Sequence, residues 1–425
     1  MQKDDKNKIV GVVGLGYVGL PLAVILAEAG YNVIGFDLDI NTCYGLNEGS
    51  SHIKDIDSVR LKKLIENGKF HATDKFDDMS KCTCISICVP TPLNKLKDPD
   101  LGSVVSAAKS ISKYLVKGQL IVLESTTYPG TTSDVLLPIL EMSGLKVGED
   151  FYLCFSPERV DPGNIKWTTK NTPKIIGGIT KQCLAIGVDY YNKVFDTVIE
   201  VESTEAAELI KVFENTFRMV NIALVNELSQ ICDQLNLNVW NIINAASTKP
   251  FGFMKFNPGP GLGGHCIPLD PHYLSWKMRT LSFKTKLIDL ASEINSSMPN
   301  YIVSKISSSL NSHYKAIKGS NILLIGVAYK KDIDDLRESP ALEIIKLLQE
   351  NGAKVNYYDK LCPIIRDNGE TYLNNLPLKS IELDRKSINS ADIVVIITDH
   401  SDTDYKLIKE NSKLIIDTRG VYNIK

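Results

Sequence analysis

The pattern of apolar and polar positions organises the chain before any single residue does. A short β-rich run, Lys8–Val13, leads into Gly14-Leu15-Gly16-Tyr17-Val18-Gly19. An apolar segment of helical length, Leu20–Ala29, follows and ends at Gly30; a second β-rich run, Asn32–Phe36, closes on Asp37. This predicts a strand, a glycine turn, a helix, a second strand and an acid, the opening of a parallel α/β sheet. Further strands are expected at Cys82–Val89, running into Val89-Pro90-Thr91-Pro92, and at Gln119–Leu123, running into Glu124-Ser125-Thr126-Thr127. Polar residues just beyond parallel strands line the ligand crevice of such sheets.

From about Ser203 the period changes. Ser203 or Thr204 can cap a helix with Glu205 in its first turn. Leu209, Val212, Phe213, Val220, Leu224 and Leu228 recur at helical spacing, with no proline or glycine to interrupt them. A helix of roughly 30 residues is expected, long enough to link domains and to offer a dimer seam. The segment Phe256–Pro271 is rich in glycine and proline and reads as a loop presenting backbone N–H groups. In the C-terminal third, strands are expected at Asn321–Val327, Lys354–Tyr358, Asp392–Thr398 and Lys413–Ile416, with a helix ending at Asn351-Gly352. The fold class is therefore α/β: two Rossmann-like, doubly wound parallel sheets joined by a central helical region with a long connecting helix.

Composition narrows the function. The 425 residues are 44% hydrophobic and 23% charged, which fits a multidomain globular protein. Forty-eight basic and fifty acidic residues give a net charge of −2, so a broad electrostatic grip on nucleic acid is not expected. Nine scattered cysteines do not form a disulfide framework and point to a reducing, cytoplasmic setting. The polar N-terminus is unlike a signal peptide, and no run of about 18 apolar residues suggests a membrane span.

The candidate chemistry starts at the glycine turn. Gly14 permits the tight turn, Gly16 lets the backbone approach a pyrophosphate, and Gly19 lets helix and strand pack. Phosphate then sits at the helix N-terminus. Asp37 stands where a carboxylate grips a ribose 2′-hydroxyl and repels a 2′-phosphate, so NAD is expected rather than NADP. Asp39 competes for that role but reads better as a turn residue. Lys211 and Asn215 share a helix face, and Arg218 follows nearby; by spacing alone they fit a solvated polar stripe as well as a functional group. Cys266, after the glycine loop, fits a covalent nucleophile or an inert buried thiol. Lys330 and Arg419, near strand ends, could hold an anionic nucleotide or be surface charges. No metal site is expected. Cys82, Cys84 and Cys88 fall on one strand face by their even spacing, as structural cysteines do, and His265, Cys266 and His272 lack a clear fourth ligand.

These motifs together resemble the UDP-glucose/GDP-mannose dehydrogenase family, the nucleotide-sugar 6-dehydrogenases, over nearly the whole chain. The carriers are GLGYVGLP at 14–21, VPTP at 89–92, ESTTYPG at 124–130, SPERVDPGN at 156–164, KVFENTFR at 211–218, PGPGLGGHCIPLDP at 258–271, AYKKDIDDLRESPA at 328–341 and DTRG at 417–420. The resemblance implies oxidation of a sugar C6 hydroxymethyl group to a carboxylate with two NAD and no release of the aldehyde. It implies Cys266 as nucleophile, passing through a thiohemiacetal and a thioester. It implies Lys211, with Asn215, as partner of the C6 oxygen, Asp270 as the carboxylate that orients the lysine and a water, and Glu158 and Thr126 as positioners of the hydrolytic water.

For the cofactor it implies Gly14, Gly16, Tyr17, Val18, Gly19, Asp37, Thr91 and Thr126, with Arg337 reaching in from the C-terminal domain. For the sugar nucleotide it implies Arg159, Val160, Lys211, Asn215, Arg218, Gly263, Tyr329, Lys330 and Arg419. Pro162 stands where the UDP-glucose branch has a second glutamate, and SPERVDPGN resembles the branch acting on UDP-N-acetylhexosamines. Within that branch HYLSWKMR is most similar to UDP-N-acetylglucosamine 6-dehydrogenases, the manno and galacto epimers remaining open. The implied organisation is an NAD-binding domain at 1–202, a central dimerising helical domain at 203–300 and a UDP-sugar-binding domain at 301–425, in a homodimer. The rival readings are a two-electron β-hydroxyacid dehydrogenase, which needs neither Cys266 nor a third domain, and an NAD-dependent sensor, which would not need Lys211, Asn215, Cys266 and Asp270 together.

Overall fold

The computed structural model describes residues 8–53, 56–94, 98–160, 164, 166–366, 373–374 and 376–423. Pro162, on which the distinction from the UDP-glucose branch rests, lies outside the described residues. Two compact units emerge: Met1–Glu214 with His272–Phe283, and Asn215–Pro271 with Lys284–Lys425. Each is described by itself.

The first unit is built on an eight-stranded sheet. Its strands are β1 (Ile9–Val13), β2 (Asn32–Phe36), β3 (Phe70–Thr73), β4 (Cys84–Ile87), β5 (Leu120–Leu123), β6 (Tyr152–Phe155), β7 (Lys174–Gly178) and β8 (Val198–Glu200). The spatial order is β3-β2-β1-β4-β5-β6-β7-β8. The order reverses at β1, next to β4, and this switch point is where open α/β sheets bind ligands. Alternate residues of each central strand enter opposite layers: Val10, Val12, Leu120 and Val122 pack into one core, Val13, Ile85, Ile87, Ile121 and Leu123 into the other. Both faces are thus covered, which is why these strands read as continuous apolar runs.

One pairing departs from the all-parallel expectation. Strand β7 runs antiparallel to β6, with Cys154 opposite Gly178. A parallel neighbour needs a crossover, usually helical. The chain between Phe155 and Lys174 has no helix among its described residues, so it turns back directly. That return carries Glu158, Arg159 and Val160.

The second unit holds a four-stranded parallel sheet of β9 (Asn321–Ile325), β10 (Lys354–Tyr358), β13 (Ile393–Ile396) and β14 (Ile415–Asp417), in the order β10-β9-β13-β14. A small antiparallel pair, β11 (Ile364–Ile365) with β12 (Leu378–Lys379), completes its strands. Ile322 and Leu324 enter one core layer and Leu323 and Ile325 the other. A helix at Pro340–Glu350 is capped by the Ser339 side chain, with proline in its first turn.

The long helix spans Thr204–Gln234, 31 residues. Ser203 caps it, its hydroxyl accepting from the Ala206 N–H at 3.1 Å. A second long helix, Lys286–Asn311, went unpredicted because Pro299 lies inside it. Proline removes the N–H that the Asn295 carbonyl would accept. The glycine loop closes on that spot: a Cβ on Gly261 would lie 3.5 Å from the Asn295 carbonyl oxygen and 3.6 Å from Pro299 Cδ. Among the described residues no helix is long and apolar enough to cross a membrane.

Candidate active site and dinucleotide turn

The glycine turn joins β1 to the helix Gly19–Glu28, whose N-terminus has no side-chain cap. Gly14 has φ +88°, a left-handed conformation that favours glycine. A Cβ on Gly19 would lie 1.8 Å from the Gly14 carbonyl oxygen, so nothing larger than hydrogen fits there. Around a Cβ on Gly16, by contrast, no atom of the described residues beyond its two chain neighbours lies within 4 Å. Tyr17 is exposed and Val18 partly buried beside the turn. Asp37, directly after β2, accepts the Leu15 N–H on Oδ2 at 2.9 Å and the Asp39 N–H on Oδ1 at 3.0 Å. Its carboxylate is thereby fixed over the turn, and each oxygen keeps a lone pair. Asp39 instead caps the next helix, accepting the Asn41 N–H at 3.0 Å and the Thr42 hydroxyl at 2.7 Å. An uncapped helix N-terminus, open space over Gly16 and an anchored acid together fit a dinucleotide.

Farther along the same sheet edge, the Thr91 hydroxyl donates to the Thr126 carbonyl at 2.7 Å, and Ser125 Oγ donates to the Val89 carbonyl at 2.7 Å. The ends of β4 and β5 are thus tied together. Tyr273 donates its hydroxyl to the Thr91 carbonyl. Glu208, a buried residue that spacing did not single out, pins the following loop: it accepts the Gly130 N–H at 2.6 Å and the Thr132 N–H at 2.8 Å. Lys211 lies one helical turn beyond Glu208 and is partly buried. On the return after β6, Glu158 Oε1 accepts the Arg159 N–H at 2.7 Å and the Val160 N–H at 2.8 Å. The Arg159 guanidinium donates to both oxygens of Glu214 and to the Pro173 carbonyl at 2.7 Å.

In the second unit the glycine loop is held from below. Asn226, fully buried, accepts the Gly259 N–H at 2.9 Å and donates to Asn295 at 2.8 Å. Asn295 donates in turn to the Met219 carbonyl at 3.0 Å. Neither asparagine was foreseen; a lone amide on a helix carries no periodic signal. Gly264 has φ +83° and its N–H donates to the Arg337 carbonyl at 3.0 Å. A Cβ on Gly263 would meet the Tyr329 Cβ at 2.5 Å, and one on Gly259 would meet Arg419 Nη1 at 2.8 Å. The loop therefore touches Tyr329 at Gly263 and Arg419 at Gly259. Arg419 is itself held by donation to the Ile397 carbonyl at 2.6 Å. Arg337 pairs with Asp335, Nη2 to Oδ2 at 2.6 Å. Lys330 is partly buried and Arg218 is exposed on the long helix.

At the end of this loop stands Cys266. It is exposed, and the other eight cysteines are buried. One turn later Asp270, also buried, donates its N–H to the Cys266 carbonyl at 2.9 Å. The Asn215 amide donates to Asp270 Oδ2 at 2.6 Å. Two sequence-distant members of the expected catalytic set are thereby joined next to the accessible thiol. Burial pushes the thiols of Cys84, Cys88 and Cys154 well up and that of Cys82 up to about 12, so they stay protonated and inert. Cys82 does not share a face with Cys84 and Cys88, contrary to the even-spacing expectation. The strand begins only at Cys84, and Cys82 enters the opposite core layer. Among the described residues no group of three or more His, Cys, Asp or Glu is arranged to hold a metal.

A chain with this dinucleotide turn and this accessible cysteine after a glycine loop has the makings of a pyridine-nucleotide dehydrogenase. Comparison with known proteins is specific. Three descriptions match in order: the NAD binding domain of the UDP-glucose/GDP-mannose dehydrogenase family over residues 8–195, its central domain over 205–297 and its UDP binding domain over 323–424. The chain belongs to the UDP-glucose/GDP-mannose dehydrogenase family, the NAD-dependent UDP-sugar dehydrogenases, and its cofactor is NAD. It is 34% identical to UDP-N-acetyl-D-mannosamine dehydrogenase of Pyrococcus horikoshii, over 97% of this chain and 95% of that one. The solved structure of the UDP-D-ManNAc dehydrogenase from P. horikoshii superposes with a TM-score of 0.86, covering 98% of this chain and 96% of that one. It is 35% identical to UDP-N-acetyl-D-glucosamine 6-dehydrogenase of Pseudomonas aeruginosa, over 83% of each chain. An NDP-N-acetyl-D-galactosaminuronic acid dehydrogenase from Methanosarcina mazei Go1 superposes at 30% identity with a TM-score of 0.81, covering 98% and 92%.

Proposed function

We propose that this protein oxidises the C6 hydroxymethyl of a UDP-N-acetylhexosamine to the uronic acid, with UDP-N-acetylglucosamine as first candidate. The observation that supports it most is the exposed Cys266 one helical turn from the buried Asn215–Asp270 pair. A second reading, UDP-N-acetylmannosamine, is favoured by the P. horikoshii relative, which matches 97% of this chain. The sugars are epimers, and identities of 34% and 35% do not separate them.

NAD, held by Gly14, Gly16, Tyr17, Val18, Gly19 and Asp37 with Thr91, Thr126 and Arg337, supplies the two-electron acceptor at each of two oxidation stages. Lys211 and Asn215 stabilise negative charge as it develops on the C6 oxygen. The Cys266 sulfur adds to the aldehyde carbon as the C=O π bond opens and the oxygen takes up the thiol's proton, which prevents the aldehyde's escape; two-electron oxidation of this thiohemiacetal gives the thioester. At the thioester level Glu158 and Thr126 orient a water, whose oxygen attacks the acyl carbon as the C–S bond breaks and Glu158 takes the water's proton. Asp270, fixed by Asn215, keeps the lysine oriented. Arg159, Val160, Arg218, Gly263, Tyr329, Lys330 and Arg419 hold the sugar nucleotide. In this reading residues 1–202 bind NAD, 203–300 carry Lys211 and Cys266, and 301–425 bind the UDP-sugar.

The deciding measurement is NADH formed per sugar nucleotide consumed, with the gluco, manno and galacto UDP-N-acetylhexosamines, UDP-glucose and GDP-mannose side by side. Two NADH per UDP-N-acetylglucosamine, with the others slow, is expected. Two with another sugar moves the substrate assignment, and one would overturn the thioester route. We also propose a homodimer through the long helix. Phe213, Phe217, Leu224 and Ile231 follow one helical stripe, and all are exposed. Sedimentation at micromolar concentration is expected to give a dimer, and a monomer would refute the proposal.

A further inference from the structure

Beneath the return that carries Glu158 lies a buried ionic cluster for which the reaction scheme has no role. Lys174 opens β7, and all five positions of that strand are buried. Its ammonium pairs with Glu124 at the end of β5, and the two side chains are 4% and 0% exposed. It also donates to the Pro157 carbonyl at 3.3 Å and stands 3.7 Å from Glu158 Oε2. The rings of Tyr191 and Phe195 flank it, with centroids at 5.6 and 5.3 Å. Glu124 Oε1 accepts the Tyr191 hydroxyl, and Ser86 Oγ lies 3.5 Å away. Removing two charges from water costs several kcal/mol per ion, and well-packed apolar residues often serve stability as well or better. Stability alone is therefore a weak reason for this lysine.

Its geometry supplies a better one. Glu158 Oε1 is fixed by the N–H groups of Arg159 and Val160, while Oε2 faces Lys174. Arg159 is occupied by Glu214 and the Pro173 carbonyl, so among the described residues the cation next to the Glu158 carboxylate is Lys174. The titratable groups in and around the cluster are Glu124, Glu158, Tyr190, Tyr191, Cys84 and Cys88. Burial pulls the lysine down, but the carboxylates of Glu124 and Glu158 outweigh it and hold Lys174 above its usual value. Burial pushes the Glu124 carboxyl up, against the opposing pull of Lys174. One lysine is thus shared by two carboxylates.

We propose that Lys174 is a positioning residue for the hydrolytic half of the reaction: its ammonium, anchored on Glu124, holds the Glu158 carboxylate where it meets the attacking water. This rests on the reading of Glu158 as the group that takes the proton of the attacking water. Loss of the lysine removes the group that Glu158 Oε2 faces, and loss of the Glu124 charge removes the anchor that holds the lysine there.

The test uses the full-length enzyme with NAD and the UDP-N-acetylhexosamine it turns over fastest, in the variants Lys174→Met, Lys174→Arg, Glu124→Gln and Glu158→Gln. In Lys174→Met a burst of about two NADH per active site is expected to survive while steady turnover falls about 10-fold or more. Intact-mass measurement should show acylated Cys266 accumulating. Lys174→Arg should restore most of the turnover, and Glu124→Gln should fall between Lys174→Met and the parent. An unchanged ratio of burst to steady rate in Lys174→Met, or no rescue by Lys174→Arg, would overturn the proposal. Should Lys174→Met not fold, Glu124→Gln decides alone: a raised ratio of burst to steady rate supports the proposal, and an unchanged ratio refutes it. Glu158→Gln separates the two claims. If it accumulates no acyl-enzyme, the reading of Glu158 fails; if it does and Lys174→Met does not, only the role of Lys174 fails.

Discussion

Cys266→Ser is expected to lower uronic acid formation by about 1000-fold or more while leaving NAD binding intact. A serine hydroxyl at neutral pH is a far weaker nucleophile than a thiol, and an ester is a poorer acyl donor to water than a thioester. The side chain is exposed and the change removes little volume, so only a small effect on stability is expected. The Asn215–Asp270 bond and the asparagine props under the glycine loop do not involve the thiol. The checks are NADH stoichiometry with UDP-N-acetylglucosamine, NAD titration by protein fluorescence, and the thermal midpoint. Retained four-electron turnover at near-parental rate would end the covalent mechanism. Loss of NAD binding along with activity would show instead that the substitution had damaged the structure.

Two alanine substitutions in the glycine turn should fail for different reasons. Gly19→Ala places a methyl where a Cβ would lie 1.8 Å from the Gly14 carbonyl oxygen, with the Cys88 Cβ at 3.0 Å. Both obstacles are in packed backbone or core, so the turn itself must move. Overpacking of this kind costs about 1–3 kcal/mol or more, and the thermal midpoint and NAD affinity should fall together. Gly16→Ala meets no atom of the described residues within 4 Å beyond its two chain neighbours. Its stability should stay within about 0.5 kcal/mol of the parent's, as that of surface substitutions does. The methyl occupies the space a pyrophosphate needs, so NAD affinity should drop by about 10-fold or more. Melting curves with and without NAD check both. Unaltered NAD affinity in Gly16→Ala would mean that the cofactor does not sit on this turn.

Much of the site was readable along the chain because its demands are local. The turn after β1 requires glycine at three fixed offsets, and the acid after β2 follows from the length of one strand–helix–strand unit. The cysteine after the glycine loop stands out because no regular element tolerates that many glycines and prolines. The residues that went unnoticed act across sequence distance. Glu208 pins a loop some 76 residues earlier, and Asn226 holds Gly259 33 residues later. Lys174 looked like an ordinary lysine opening an apolar run, since nothing local marks a charge that will be buried against Glu124, 50 residues away.

By itself, then, the sequence determined the two α/β sheets, the long helix, the dinucleotide turn and the glycine loop before Cys266, because periodicity and backbone sterics act within a few residues. Tertiary structure alone decided which side chains meet. It turned β7 antiparallel, carried a helix through Pro299, sent Cys82 to the opposite core layer from Cys84, joined Asn215 to Asp270, and set one buried lysine between Glu124 and Glu158. Those outcomes depend on packing between elements remote in the chain, where burial makes each polar group find a partner, and no local pattern encodes which partner that is.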